Sequence, residues 1–302
     1  MSRSEIKLDK APGVLQDLVM DTVCYSGTAT TAASAHGNVD MHQYDVVLVS
    51  SSGGKDSQAQ LDVLVRQADA TGYDRARLVV VHCDLGRVEW AGTRELAETQ
   101  AKHYGLRFIA ISRPQGDLLD QVAKRGMWPS SSARYCTSDH KRGQFAKVVT
   151  QLHREAVAAG HVGVFRMVEC LGLRAQESPT RAAKTPLERN ARLSTATRTV
   201  DTWLPIQAWT VEQVWACIKA SGVPHHEAYD LGMPRLSCVF CVLSNHAALT
   251  LAAKHNPELL DAYVAVEDKI QHTFKKGYSL RVLRDTVRAG GALQGPVTDW
   301  TM

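Results

Sequence analysis

Three observations predict a doubly wound α/β fold, a central parallel sheet of about five strands covered by helices on both faces. Short apolar runs at Asp45 to Ser50, Arg77 to His82, Leu106 to Ile111 and Arg166 to Leu171 read as buried strands. Stretches with apolar positions at helical spacing separate them, so strand and helix alternate. The first strand runs into Ser52-Gly53-Gly54-Lys55-Asp56-Ser57, where two glycines precede a helix and let successive backbone N–H groups face one point.

In chain order, Ile6 to Val23 carries Val14, Leu15, Leu18 and Val19 at helical spacing, and Ser26 to Asn38 is rich in Gly, Ala, Ser and Thr. Residues 1–40 therefore read as a helical N-terminal arm and connection. Residues 41–205 read as the α/β domain. Helices are expected at Ser57 to Ala68, Thr93 to Tyr104, Leu118 to Lys124 and Ser138 to Ala158. The polar stretch Ala175 to Thr199, with Pro179 and Pro186, reads as a long mobile loop over the C-terminal ends of the strands. Residues 206–302 read as a helical C-terminal extension, with helices at Val211 to Ser221, Pro257 to Thr273 and Leu280 to Ala289.

A chain of 302 residues, 44% of them hydrophobic, can bury a full core. The 35 Lys and Arg against 31 Asp and Glu leave +4, too little to demand nucleic acid and too little to exclude a local basic groove. No run approaches the ~18 apolar residues of a membrane span, and the polar start Met1 to Lys10 is not a secretory signal. The expectation is a cytoplasmic protein without a membrane partner. Seven cysteines in such a setting serve metals, catalysis or packing more readily than disulfides.

The glycine loop suits a phosphate, with Ser52, Ser57 and Lys55 adding hydroxyls and a cation. Its spacing differs from that of the common nucleoside triphosphatase loop. His82-Cys83-Asp84-Leu85-Gly86 ends the second strand, beside the first, and Gly172-Leu173-Arg174-Ala175-Gln176-Glu177-Ser178 follows a later one. As plain structure, these read as a capping turn and a solvated basic loop. Cys238-Val239-Phe240-Cys241 can hold one corner of a metal site, because two intervening residues let both sulfurs turn toward one ion. A redox pair and two core thiols are the other readings.

Taken in order, these segments resemble the phosphoadenosine phosphosulfate (PAPS) reductase-like family of the ATP α-hydrolase superfamily, with its HUP or PP-loop fold. Ser52 to Ser57 is similar to that superfamily's pyrophosphatase loop. His82 to Gly86, Arg134-Tyr135-Cys136-Thr137 with Lys141, Gly172 to Ser178, Pro205-Ile206, Val214-Trp215, and Tyr229-Asp230-Leu231-Gly232 followed by Arg235 to Cys241 resemble further family segments. The likeness runs from Asp45 to Leu243. Val88-Glu89-Trp90 departs from the family's Pro-Glu-Thr continuation and leaves Glu89 without a carried-over role.

The resemblance implies ATP as ligand, with magnesium, and a nucleotide site made of Ser50, Ser52, Gly53, Gly54, Lys55, Asp56, Ser57, His82, Asp84, Gly86, Gly172 and Arg174. Lys55, Asp56 and Arg174 are the implied catalytic residues. Cleavage at the α-phosphate develops charge there and on pyrophosphate, and an arginine fork can meet both. Cys136, Cys238 and Cys241 are the implied metal ligands. Three thiolates would leave one iron of a 4Fe-4S cluster open, whereas three plus a histidine, His140 or His246, would close a zinc site. Cys83 or Cys170 could be a fourth ligand, and Cys24 and Cys217 read as structural.

The implied function is an ATP pyrophosphatase that adenylylates an acceptor for sulfur transfer, as in DNA phosphorothioation. Its implied partners are a nucleic-acid acceptor and a cysteine-desulfurase-type sulfur donor, with room for a homo-oligomer. The alternatives are a sulfonucleotide (PAPS or adenosine phosphosulfate) reductase and a non-catalytic nucleotide-binding subunit. Reductases of the resembling family carry a nucleophilic cysteine in a C-terminal tail. This sequence has no cysteine after Cys241, so the expectation is no thioredoxin-dependent sulfite release.

Overall fold

The computed structural model describes residues 39–292, and the expected N-terminal arm and Cys24 lie outside them. In chain order the regular elements are β1 Val46–Ser51, α1 Lys55–Thr71, β2 Leu78–Asp84, α2 Thr93–His103, β3 Arg107–Ser112 and α3 Leu118–Arg125. Then come α4 Tyr135–Thr137, a π-helical turn Ser138–Arg142, α5 Gly143–Ala158, β4 Phe165–Cys170, α6 Pro179–Ala182, β5 Leu187–Arg189 and β6 Arg198–Trp203. The helices α7 Val211–Ser221, α8 His246–His255, α9 Pro257–Ile270 and α10 Leu280–Arg288 complete the described chain.

The strands form one six-stranded sheet in the order β3-β2-β1-β4-β6-β5, parallel throughout except for the β5–β6 pair. Alternation along each strand divides the core between its two faces. Val47 and Val49 of β1 pack with Leu61, Leu64 and Val65 of α1, while Leu48 packs with Phe145, Val148 and Val149 of α5. In β2 the same split sends Leu78 and Val80 to the α1 face, and Val79 and Val81 to the α5 face. The prediction of a doubly wound sheet is met.

The expected strand count was one short, and Ala175 to Thr199 is not a single loop. It folds into a 3-10 turn Ala175–Glu177, α6, the three-residue β5 and the start of β6. In β6, Arg198-Thr199-Val200-Asp201-Thr202-Trp203 buries only Val200 and Trp203. Its β-branched residues favour a strand, but without an apolar run the sequence gives no strand signal. The expected helix Ser138 to Ala158 opens with the π turn Ser138–Arg142 and is α-helical from Gly143, and α8 falls where none was expected.

After Trp203 the described chain holds helices, loops and an isolated bridge between Lys275 and Tyr278. Its helices do not pack only on one another. Ala248, Leu249, Leu260, Tyr263, Val264, Leu280 and Leu283 share a buried cluster with Leu85, Val88 and Trp90 beyond β2 and with Leu118, Leu119 and Val122 of α3. Trp128 stacks on Tyr263 with centroids 5.4 Å apart. This packing holds the Cys238–Cys241 segment against the C-terminal end of the sheet, where the backbone N–H of Val239 donates to the Val88 carbonyl at 2.9 Å.

Candidate functional site

The strand order reverses at β1, since β2 and β3 lie to one side of it and β4 to the other. Ligands of open α/β sheets bind in the crevice at such a switch point. The loop from Ser52 to Gly54 fills that place. Gly53 has φ +68°, and a Cβ there would stand 3.0 Å from the Thr93 carbonyl oxygen, so both conformation and space call for glycine. Gly54 caps α1 with no side-chain hydrogen bond of its own. The first turn of the helix thus faces the crevice with no cap from the Gly54 position itself.

Hydroxyls brace the loop. The Ser52 backbone N–H donates to Ser57 Oγ at 3.1 Å, and Ser57 Oγ donates to the Gly54 carbonyl at 2.9 Å. A further segment closes on it from the C-terminal region. The Tyr229 hydroxyl accepts from the Lys55 backbone N–H at 2.9 Å and from the Leu236 N–H at 3.4 Å. A Cβ on Gly54 would stand 3.2 Å from that hydroxyl and 3.3 Å from the Leu236 Cβ.

Lys55, Asp56 and Arg174, expected together from separate motifs, form one buried chain of charges. Lys55 Nζ lies 3.2 Å from Asp56 Oδ2, and Arg174 Nε lies 2.6 Å from Asp56 Oδ1. Lys55 Nζ also donates to the Pro234 carbonyl at 3.2 Å and sits 5.5 Å from the centre of the Tyr229 ring. Burial pulls the Lys55 ammonium below its ordinary pKa, against the pull of Asp56. Arg174 spends further donors on Gln176 Oε1 at 2.7 Å and on the Trp209 carbonyl at 3.4 Å. Its guanidinium is therefore a fixed part of the wall as well as a charge. Gly172 makes this approach possible, because a Cβ there would stand 2.8 Å from the Asp56 carbonyl oxygen.

Arg235 and Glu177, given no role by sequence reasoning, extend the chain, together with Arg181, expected to stand behind Arg174. Arg235 Nη2 lies 3.2 Å from Glu177 Oε1, and Glu177 also pairs with Arg181. Burial lowers the Arg235 pKa. Four cations, Lys55, Arg174, Arg181 and Arg235, thus meet two carboxylates, Asp56 and Glu177, beside the glycine loop. The excess of positive charge suits a polyanion. The signal for Arg235 and Tyr229 was their place in the segment leading to Cys238; nothing in their local sequence spoke for contact with Glu177 or Lys55.

The remaining expected nucleotide residues lie along the same edge. The Ser50 carbonyl accepts from Gln60 Nε2 at 3.5 Å. Asp84 Oδ1 accepts the Gly86 N–H at 2.8 Å, and Gly86, with φ +68°, turns the chain out of β2. His82 is buried at 1% exposure, next to Ser51 in the β1–β2 register. Burial alone would lower its pKa, but Glu89, 3.3 Å away, raises it on balance.

The three expected metal ligands lie in two places, Cys136 in α4 and Cys238 with Cys241 in the loop before α8, and their three sulfurs are not all within 4.8 Å of one another. Burial pushes Cys238 up to about 12, with Cys241 and Cys136 close enough to add to the effect and Lys141 opposing it. Cys241 is raised for the same first reason, with Cys136 again among its neighbours. Lys141 is exposed at the surface, and against the cost of desolvation Cys238, Glu89, Cys241 and Cys83 raise its pKa. Thiols are the donor type that suits a thiophilic metal or an iron–sulfur cluster.

Of the other candidates, Cys83 donates to the Lys141 carbonyl at 3.5 Å, beside the cluster, while Cys170 is buried in the core on the α1 face. His140 Nε2 is engaged by Gln121 Oε1 at 2.7 Å, and His246 stacks on Tyr278. Cys217 lies apart, 3.1 Å from Asp62 Oδ2 between α7 and α1. No helix among the described residues is long and apolar enough to cross a membrane.

The model of the phosphoadenosine phosphosulfate reductase domain matches residues 46–244. An uncharacterised 37.8 kDa protein of Escherichia phage 186 is 26% identical over 269 residues, 77% of each chain. The adenosine 5'-phosphosulfate reductase of Allochromatium vinosum is 25% identical over 202 residues, 66% of this chain and 69% of that one. Among solved structures, the phosphoadenylyl-sulfate reductase of Candida auris in a phosphate complex superposes with a TM-score of 0.41 at 17% identity, covering 66% of this chain and 83% of that one. The U34-tRNA thiolase of Methanococcus maripaludis with its 4Fe-4S cluster gives 0.39 at 13% identity, covering 86% and 79%.

Proposed function

The chain belongs to the phosphoadenosine phosphosulfate reductase domain family, and within it we propose an ATP pyrophosphatase that activates an oxygen for replacement by sulfur. One observation supports the reading: the glycine loop ends β1 at the switch point, beside four cations. The backbone of Ser52 to Ser57 binds the leaving pyrophosphate. Lys55 and Arg174 neutralise charge that develops as the acceptor oxygen bonds to the α-phosphorus and the α–β bridging bond breaks. Asp56, whose two oxygens pair with those cations, orients the loop or, on giving one of them up, holds magnesium.

Sulfide, formed from the donor's persulfide by a reducing thiol that ends as a disulfide, then displaces adenylate from the activated acceptor, releasing AMP. Cys136, Cys238 and Cys241 would hold a 4Fe-4S cluster, which when bound supplies an open iron for sulfide; zinc with a histidine is the alternative occupant. The acceptor we propose is a nucleic acid, as in DNA phosphorothioation, with a cysteine-desulfurase-type donor providing the sulfur.

A second reading is favoured by the relatives named as adenosine 5'-phosphosulfate reductases. That reaction needs a thiolate nucleophile. Cys83, Cys217 and Cys238 are all pushed up to about 12 by burial, which works against thiolate at neutral pH. The products separate the two. Anaerobically purified protein given ATP, magnesium, an oligonucleotide and a sulfur donor is expected to release pyrophosphate and AMP. Given either sulfonucleotide with thioredoxin, it is expected to release no sulfite. ADP with orthophosphate would overturn the pyrophosphatase assignment, and sustained sulfite release would establish the reductase.

A further inference from the structure

His82 and Asp84 stand two residues apart on β2, so their side chains leave the same side of the strand. The 3-10 turn Gly86–Val88 then brings Glu89 back, its N–H donating to the Gly86 carbonyl at 3.0 Å. One ligand atom from each of His82, Asp84 and Glu89 lies within 4.8 Å of the other two. A ring nitrogen and two carboxylates from separate backbone positions converge on one point.

The histidine decides what that point can hold. His82 is 1% exposed, and its Nδ1 lies 3.0 Å from the Ser51 carbonyl oxygen. A carbonyl only accepts, so Nδ1 carries the proton, and in the neutral ring Nε2 presents a lone pair. Nε2 has no hydrogen-bond partner, although Glu89 Oε2 is 3.3 Å away. A lone pair facing carboxylate oxygens in a buried place is repulsive unless a proton or a metal ion sits between them, and a proton needs only Glu89 whereas three donors converge here. Bonds of ~2.0–2.2 Å from one ion to nitrogen and oxygen would bridge such a gap. A backbone carbonyl that fixes the distal ring nitrogen is also the support that metal-bound histidines use. Around the trio, Asp84 Oδ1 takes the Gly86 N–H, Glu89 Oε2 takes the Leu85 N–H at 3.2 Å, and Arg94 lies 3.4 Å from Asp84 Oδ2. One oxygen of Glu89 and further lone pairs on both carboxylates are left for an ion.

We propose that His82, Asp84 and Glu89 bind a first-row divalent transition-metal ion at the C-terminal end of β2, in a site separate from the cysteine cluster. The mixed imidazole and carboxylate set suits manganese, iron, cobalt or zinc better than the oxygen-only preference of calcium or magnesium. This site does not depend on the nucleotide reading, because it is complete without a nucleotide.

Manganese is the probe, since thiolates compete poorly for it. The full chain, stripped with a chelator and free of nucleotide, is titrated with Mn2+ while electron paramagnetic resonance reads the free ion. One saturable ion per chain is expected. Glu89→Gln and Asp84→Asn should each weaken binding by about tenfold or more, with circular dichroism confirming that both fold. Cys238→Ser and Glu169→Gln should leave it unchanged. Absence of saturable Mn2+ binding, survival of binding in either carboxylate variant, or its loss in Cys238→Ser would each overturn the site and leave a histidinium–Glu89 ion pair as the account of the geometry.

Discussion

Arg174 Nε and Asp56 Oδ1 meet at 2.6 Å, joining the segment after β4 to the first turn of α1. Arg174 is 5% exposed at its side chain and Asp56 16%, so either group left alone would be a charge largely out of water. Arg174→Ala is expected to destabilise the protein by on the order of 3 kcal/mol. The Arg174→Ala, Asp56→Ala double variant should be less unstable than the two single effects added. Urea unfolding of the four proteins measures this, and strict additivity would show that the pair is not coupled.

Gly172→Ala should damage the phosphate loop from outside it. The new methyl would stand 2.8 Å from the Asp56 carbonyl oxygen and 3.0 Å from the Ser57 nitrogen, and both are backbone atoms that cannot swing aside. A loss of roughly 1–3 kcal/mol is expected, with nucleotide binding falling further than stability alone explains. Gly54→Val meets the Tyr229 hydroxyl and the Leu236 Cβ instead. It should abolish nucleotide binding and also disturb the metal content of the cysteine cluster. Calorimetric titration with ATP and metal analysis of each variant test these outcomes.

Cys136→Ser, Cys238→Ser and Cys241→Ser are each expected to lose bound metal to a similar extent, since ligands of one site fail together. Absorption spectra with iron, zinc and sulfide analysis of anaerobic preparations read this out. Full metal content in Cys136→Ser beside loss in Cys238→Ser would remove Cys136 from the site.

Glu169, on β4, has its carboxyl pKa raised to about 7, chiefly by burial, with Arg192, Arg142 and Asn190 pulling the other way. The folded protein therefore holds this proton more tightly than the unfolded chain does. Below the ordinary carboxyl pKa both states are protonated and the residue costs nothing. The cost grows as pH rises and is complete above about 7. Glu169→Gln should then stabilise the protein by roughly 1–3 kcal/mol at pH 8 and by much less at pH 4.5. Thermal melts of both proteins across that range test the sign; an equal effect at the two pH values would refute it.

What the sequence made legible follows from how local each signal is. Buried parallel strands are continuous apolar runs, so β1, β2, β3 and β4 could be read directly, and the glycines of the loop announced themselves by composition. β6 is stabilised by its neighbours on both sides, and a strand of that kind need not be apolar along its length. Lys55, Asp56 and Arg174 could be named from separate motifs. Their pairing, and the hold of Tyr229 on Lys55, depend on contacts between residues more than a hundred positions apart. Glu89 was visible only as a departure from a pattern, and its meaning appeared once the turn after β2 placed it against His82.

The three-residue strand β5 is exposed at Leu187, Glu188 and Arg189, and it runs against the direction of every other strand. A strand so short, carrying two charges, offers an incoming chain only a brief row of unpaired peptide groups. The sheet is thereby sealed at that border against lengthening by a second copy, and stacking of molecules edge to edge into filaments is discouraged there.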